Sequence, residues 1–547
     1  MSDHTVPVDD LSGPVVDRRT TMQLLGLAGM GSLAGCVGGN GDDDDDEFDP
    51  EDVEEGGRLQ AGWFLGEIGD LYPGMINVGQ YFQISSNIFN GLVALEEDLS
   101  FRGDLAEDWE VEEDGARYVF ELRDDVVFHN GDEFTAEDVE FTVRYNIENE
   151  VSQASRLATL EPVDEGGVEI IDDYTVALTW EEPTASALAH FSRGPGRAVN
   201  IINETAIEEM GARDYSIEPV GTGPFEVVEH DVGSELVLDA FDDYFETDEE
   251  GNQLPYLDGV DIQMIPEPGT MVNALRGGDI HFANLIPEEN VDEIEGGQDV
   301  EMSSVVGNTY LGVSMNTERE PLDDVDVRQG IAKAIDNERI AEDAFYGFAL
   351  PAAGVFAPEP EWVDRDDKPD DQAYDPEEAE ELLESAGAFD HELTVMNTSE
   401  DERAARNVID HLESIGLDVE LDLVTDSTYW DRFEGGDYDL SVAGSVDKPD
   451  PEESVWNFFR LPDEDGVWNW TNYENETVHE LLGEQRRTID TDERAEVLWE
   501  LEDILIEESP YAFLVHNEDI TAYRESVQGF THIPSFLRDF DTVWLNE

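Results

Sequence analysis

The chain has 547 residues, with 135 Asp+Glu against 28 Lys+Arg and a formal net charge of -107 at pH 7. Such a polyanion lacks the Lys and Arg needed to grip DNA or RNA phosphates, and its own surface is not drawn to anionic lipid. With 39% hydrophobic and 9% aromatic residues it can bury real cores, enough for two large or three or four ordinary units, which excludes global disorder.

The first 35 residues read as an address. Arg18 and Arg19 precede a short apolar stretch over 22–34 that ends Leu33-Ala34-Gly35-Cys36. Paired arginines before a short apolar region read as a twin-arginine export signal. The stretch falls short of the roughly 20 residues that span a bilayer. Leu-Ala-Gly-Cys resembles a lipobox, and Cys36 is the single cysteine of the chain. Lipidation at Cys36 leaves no disulfide. One lipid chain anchors only marginally, so a two-chain lipid is expected. Residues 36–57, which carry the acidic run Asp42–Glu47, read as a self-repelling tether.

Beyond the tether, strands and helices alternate. Tyr118, Phe120 and Leu122 alternate with polar residues, as do Val176, Leu178 and Trp180; Val260, Ile262 and Met264; and Val419, Leu421 and Leu423. Each set predicts a half-buried strand. Thr135–Tyr145 opens with a Thr cap and Asp138 at N3, which predicts a helix. Val327, Ile331, Ala334 and Ile335 share one helical face. Asp375-Pro376-Glu377-Glu378 supplies a cap, a first-turn proline and a capping Glu, and Gly387 closes that helix. Thr491–Glu508 carries Leu498, Leu501, Ile504 and Leu505 before Pro510. The mixture points to α/β or α+β architecture.

Acid interrupts these elements along the whole chain, and only Lys333, Lys368 and Lys448 are lysines. At molar salt the Debye length is about 3 Å, so such charges repel little and a hydrated carboxylate coat keeps the protein soluble. The pattern resembles proteins of salt-loving archaea.

Catalytic motifs do not emerge. The sequence has no Gly-x-Ser-x-Gly, His-Glu-x-x-His, P-loop or Gly-x-Gly-x-x-Gly. The ten histidines are scattered, so neither a metal nor a cofactor is expected, and an enzyme is unsupported.

Five blocks in order carry a family likeness. They are Gly103–Trp109 with Asp114–Arg123 and Val127–Val139; Gly221-Thr222-Gly223-Pro224-Phe225; Asn316-Thr317 through Ala334-Ile335-Asp336; Tyr374–Ala379; and Tyr438-Asp439-Leu440 leading to Asp447-Lys448-Pro449-Asp450-Pro451. Together they resemble the dipeptide/oligopeptide/nickel-type solute-binding proteins of ABC importers, over 58–547. Asp114-Gly115 and His129-Asn130-Gly131 are also turn chemistry, so the blocks identify scaffold before pocket.

The resemblance implies a periplasmic-binding-protein-like α/β fold of two lobes, type II with an extra subdomain, joined by two crossovers and closing on its ligand. Lobe I would take 58–307, with an inserted subdomain at about 92–217, and the return segment 516–547. Lobe II would take 308–515. The implied function is capture of di- or oligopeptides for import, by a monomer working with permeases and their ATPases. Other ligands for the same fold are a nickel chelate, an oligosaccharide or another organic solute. A surface sensor and a secreted hydrolase are the further alternatives. The resemblance assigns Asp447 to the peptide α-amino group. Trp456 and Trp430, from a tryptophan-rich stretch, are candidates to line the pocket. Where the family often has an aromatic before this Asp, the chain has Gly444-Ser445-Val446.

Overall fold

The computed structural model describes residues 53–546, apart from 77–78, 195–198, 249, 296, 298, 366, 446–448, 463–467 and 536. Arg18, Arg19, Cys36 and Asp447 lie outside the described residues.

One twelve-stranded mixed sheet runs through the molecule. Its pivot is the strand Tyr511–Arg524, 14 residues long and buried along nearly its whole length. That strand reads as a near-continuous apolar run at its start, as expected of a strand covered on both faces. Its first half pairs with Leu311–Met315 and Ala349–Pro351. Its second half pairs with Val300–Val306 and Phe282–Ala283. Two half-sheets therefore share one strand. On one side the order continues through Leu311–Met315, Leu440–Gly444, Glu392–Asn397 and Asp418–Leu423. On the other it continues through Phe282–Ala283, Arg58–Trp63, Gly259–Met264, Glu235–Ala240 and Phe225–Asp231.

Each half owns a core. Val313, Val395, Leu440, Val442 and Leu514 pack with Val327, Ile331 and Leu383 in one lobe. Leu59, Ala61, Val260, Ile262 and Phe282 pack with Ile84 and Phe89 in the other. A separate four-stranded antiparallel sheet holds, in spatial order, Ala106–Glu112, Arg117–Leu122, Thr175–Thr179 and Val168–Asp172. Its core joins Tyr118, Phe120, Val176, Leu178 and Trp180 to Val139 and Val143 of the helix Ala136–Glu148.

The capping chemistry gives the expected helices. Thr135 and Asp138 form a reciprocal capping box on Ala136–Glu148. Asp375 accepts from the amides of Glu377 and Glu378, and Gly387 ends Pro376–Ala386 at φ 77°. Thr491–Glu508 is helical over its whole span. Two expectations need correction. Ile335 is the extended residue that ends Val325–Ala334, because Asp336 caps the next helix, Asn337–Phe345. Leu423 is 41% exposed, because its strand lies at the edge of the sheet and lacks a covering neighbour at that end.

Candidate functional site

The strand Leu440–Gly444 lies between Leu311–Met315 and Glu392–Asn397, so its C-terminal end points at the passage between the two half-sheets. Gly444 is required there. A Cβ on it would sit 1.8 Å from the Tyr310 carbonyl oxygen. Ser445 is tied to Tyr310 twice: its amide donates to the Tyr310 carbonyl (3.0 Å), and its Oγ accepts from the Tyr310 amide (3.1 Å). Residues 308–310 cross between the half-sheets, and so does His516-Asn517 of the long strand. The two crossings are joined by His516 Nδ1 and the Thr309 carbonyl, 2.5 Å apart. Burial pushes the His516 imidazole down to about 4, so it is neutral at ordinary pH.

Among the described residues, Thr309 Oγ1, Tyr310 Oη and Asn517 Oδ1 at these crossings are buried and take no hydrogen bond. Such atoms are satisfied by water or by a polar solute.

After 446–448 the chain is fixed again at Asp450. Arg494 donates to both Asp450 oxygens, at 2.8 and 2.6 Å, with both side chains nearly fully buried. Gln485 Oε1 accepts from the same guanidinium at 3.0 and 2.9 Å. A bidentate arginine fork, braced through Nε and Nη2 by Gln485, holds Asp450 rigidly. The Glu452 amide donates to Asp450 Oδ1 (2.8 Å) and starts the helix Glu452–Phe459. Ser454 Oγ of that helix donates to the Asn308 carbonyl at 3.3 Å. The described residues on either side of 446–448 are thus held, Ser445 by Tyr310 and Asp450 by Arg494.

The two tryptophans from the sequence reading are not brought together by any ring contact among the described residues. Trp430 is buried against Tyr429, Phe433 and Trp470, with ring centroids 5.2, 6.1 and 5.7 Å away. Trp456 is half-buried on the helix that follows the Asp450 clamp, between the guanidiniums of Arg460 (4.8 Å) and Arg486 (4.6 Å). The residues that sequence reasoning missed are Thr309, His516, Asn517 and Arg494. None sits in a local motif. The signal for Asp450 was present, since it shares the Asp-Lys-Pro-Asp-Pro stretch with Asp447.

A Ser–His–Asp run occurs at Ser303, His532 and Asp519, with spacings of 3.2 Å at each link. The same Asp519 carboxylate also binds the fully buried Arg538, which donates to the carbonyls of Leu537 and Asn284. This network straps residues 532–538 to the long strand. Among the described residues no group of three or more His, Cys, Asp or Glu could hold a metal ion. No described helix is long and apolar enough to cross a membrane.

A sheet divided by a shared strand into two halves, each with its own core, defines a two-lobed protein. The family of bacterial extracellular solute-binding proteins, family 5 Middle, matches residues 100–465. The chain belongs to that family. It is therefore an extracytoplasmic solute-binding protein of the kind that serves ABC importers, and not an enzyme. The glutathione-binding protein GsiB of Shigella flexneri is 25% identical over 472 residues, covering 82% of this chain and 87% of that protein. The periplasmic binding protein DppA of Helicobacter pylori, solved with the peptide STSA, superposes with a TM-score of 0.75 at 24% identity, over 91% of this chain and 99% of that one. AgaA of A. tumefaciens R10, solved with agropinic acid, has a TM-score of 0.74 at 26% identity, over 90% and 99%.

Proposed function

We propose that this protein captures short peptides and delivers them to ABC permease subunits and their ATPases, and that Asp447 receives the peptide α-amino group. The observation that carries the peptide reading is the relationship to GsiB, a glutathione-binding protein, across most of both chains. The fixed positions of Ser445 and Asp450 on either side support the role of Asp447, whose carboxylate would meet an ammonium group. A charge-assisted hydrogen bond between the two is roughly twice as strong as a neutral one. Thr309 and Asn517 would meet the peptide's own amides. Trp430 fits the reading as support behind the site, through Trp470. The division into 58–307 with 516–547, and 308–515, is proposed on the same basis, with an insert at about 92–217.

The test is calorimetry in molar KCl with short peptides, on the parent and Asp447→Asn. We expect the variant to lose about 2–5 kcal/mol of peptide binding while its unliganded melting temperature stays the same. Unchanged peptide affinity would remove Asp447 from the site. The relative AgaA favours a second reading, in which the same cleft takes another small organic acid. Parallel titrations with such acids, with nickel–histidine and with an oligosaccharide separate these ligands.

We propose further that Arg18 and Arg19 direct twin-arginine export and that Cys36 is lipidated. Cys36→Ser should leave the membrane fraction and appear in the medium. A variant that still sediments with membranes contradicts the anchor.

A further inference from the structure

The four-stranded sheet and its loops touch the second lobe through contacts other than the crossings. The amide of Ala185 donates to the Arg486 carbonyl at 2.8 Å. Ser186 Oγ donates to Glu452 Oε2 at 2.8 Å. Arg156 pairs with Glu453, and each side chain is only 12% exposed. Arg487 Nη1 lies 3.4 Å from Glu182 Oε2, and Arg486 Nη2 donates to Thr159 Oγ1 at 3.4 Å. The hairpin turn at Gly115, at φ 101°, presses on Ile489 so closely that a Cβ there would be 2.3 Å from the Ile489 side chain. Arg486, which also lies over Trp456 and pairs with Glu452 at 3.4 Å, organises the lobe II side of this seam.

We propose that this seam is a clasp: it closes the two lobes on each other through protein–protein contacts, and its strength sets the open-to-closed balance before any solute arrives. The four-stranded sheet is fastened to the first lobe, where His129 Nε2 lies 3.0 Å from the Gly223 carbonyl and the amide of Gly221 donates to His129 Nδ1 at 3.2 Å. Opening about the crossings therefore has to break the seam. The chain has 28 basic residues against 135 acidic ones, so two closing lobes repel. Arg156, Arg486 and Arg487 place positive charge on the seam opposite Glu453, Glu452 and Glu182. A half-buried pair is screened less by salt than an exposed one, which keeps the clasp effective at high ionic strength. In this scheme Trp456 acts through Arg486, as a positioning residue of the clasp. The proposal needs no particular ligand and stands or falls apart from the peptide reading.

The test is small-angle X-ray scattering of the unliganded full chain in molar KCl. Arg156→Glu and Glu453→Arg should each raise the open-to-closed ratio about fivefold and enlarge the radius of gyration. The double swap Arg156→Glu with Glu453→Arg should restore the compact form. Gly115→Val adds a steric wedge without a charge change and should also open the molecule. Melting curves identify any variant that fails to fold, and the remaining variants then decide. Single charge variants as compact as the parent, or a double swap no more compact than the singles, would overturn the clasp.

Discussion

Asp104 shows how burial sets the chemistry of a single carboxyl. It is 2% exposed, accepts from Asn90 Nδ2 (2.7 Å) and the Gly91 amide (3.0 Å), and shares its surroundings with Arg193, Arg102 and Glu246. Desolvation raises it to about 7 against the pull of the two arginines. A raised carboxyl binds a proton in the fold that the unfolded chain has already released. Its stabilisation is present below pH 4 and is lost as pH climbs towards 7. His129, His516 and His532 act in the opposite sense. Burial lowers each to about 4, so the fold keeps them neutral and loses stability as pH falls below about 6.5. Asp104→Asn removes one opposing group. Relative to the parent, the variant should gain about 1 kcal/mol per pH unit between pH 4 and 7 and nothing further above that window. Urea melts at pH 5, 6, 7 and 8 read this directly. A parent-to-variant gap that stays constant with pH contradicts the assignment. Such a residue was invisible in the sequence. One acid among 135 carries no mark of burial, whereas the histidines at least were few.

At the scale of elements, the clamp on Asp450, beyond Leu440–Gly444, is the feature that matters. Arg494 is in the first turn of Thr491–Glu508, whose cap and apolar face are legible from local pattern alone. Its bond to Asp450 spans 44 residues and has no local signature. Breaking a buried ion pair leaves an uncompensated charge, at about 3–5 kcal/mol. Arg494→Ala should therefore lower stability by roughly 3 kcal/mol or more and weaken solute binding, because Asp450 loses its anchor. Arg339→Ala, whose pair with Asp343 is largely exposed, should leave the melting temperature essentially unchanged. Thermal melts of the two variants side by side check the contrast, and similar losses for both would contradict it. The elements themselves were well foretold where capping residues and periodicity agree, as at Thr135 and Asp375. Burial was misjudged where tertiary position rules, as at Leu423 on the edge strand.

At the scale of the molecule, one strand belongs to both lobes. Tyr511–Arg524 gives its first half to one half-sheet and its second half to the other. A crossing built on a continuous strand, tied to the second crossing at His516 and Thr309, permits rotation while keeping register. Family likeness, and not local pattern, pointed to two crossovers. Periodicity could not show that a single 14-residue strand joins both halves. The order of five short blocks made the architecture legible, since each block is a turn or a cap whose geometry the fold needs. The residues that face a ligand obey no such local rule, which is why Thr309 and Asn517 escaped notice.

The most direct test of capture without chemistry is native mass spectrometry of the protein purified in high salt from peptide-rich medium. The account predicts an added mass that fragments as one or more short peptides, bound in one-to-one ratio and released intact on unfolding. A co-purifying non-peptide solute in that ratio, or a peptide released in cleaved form, would contradict it.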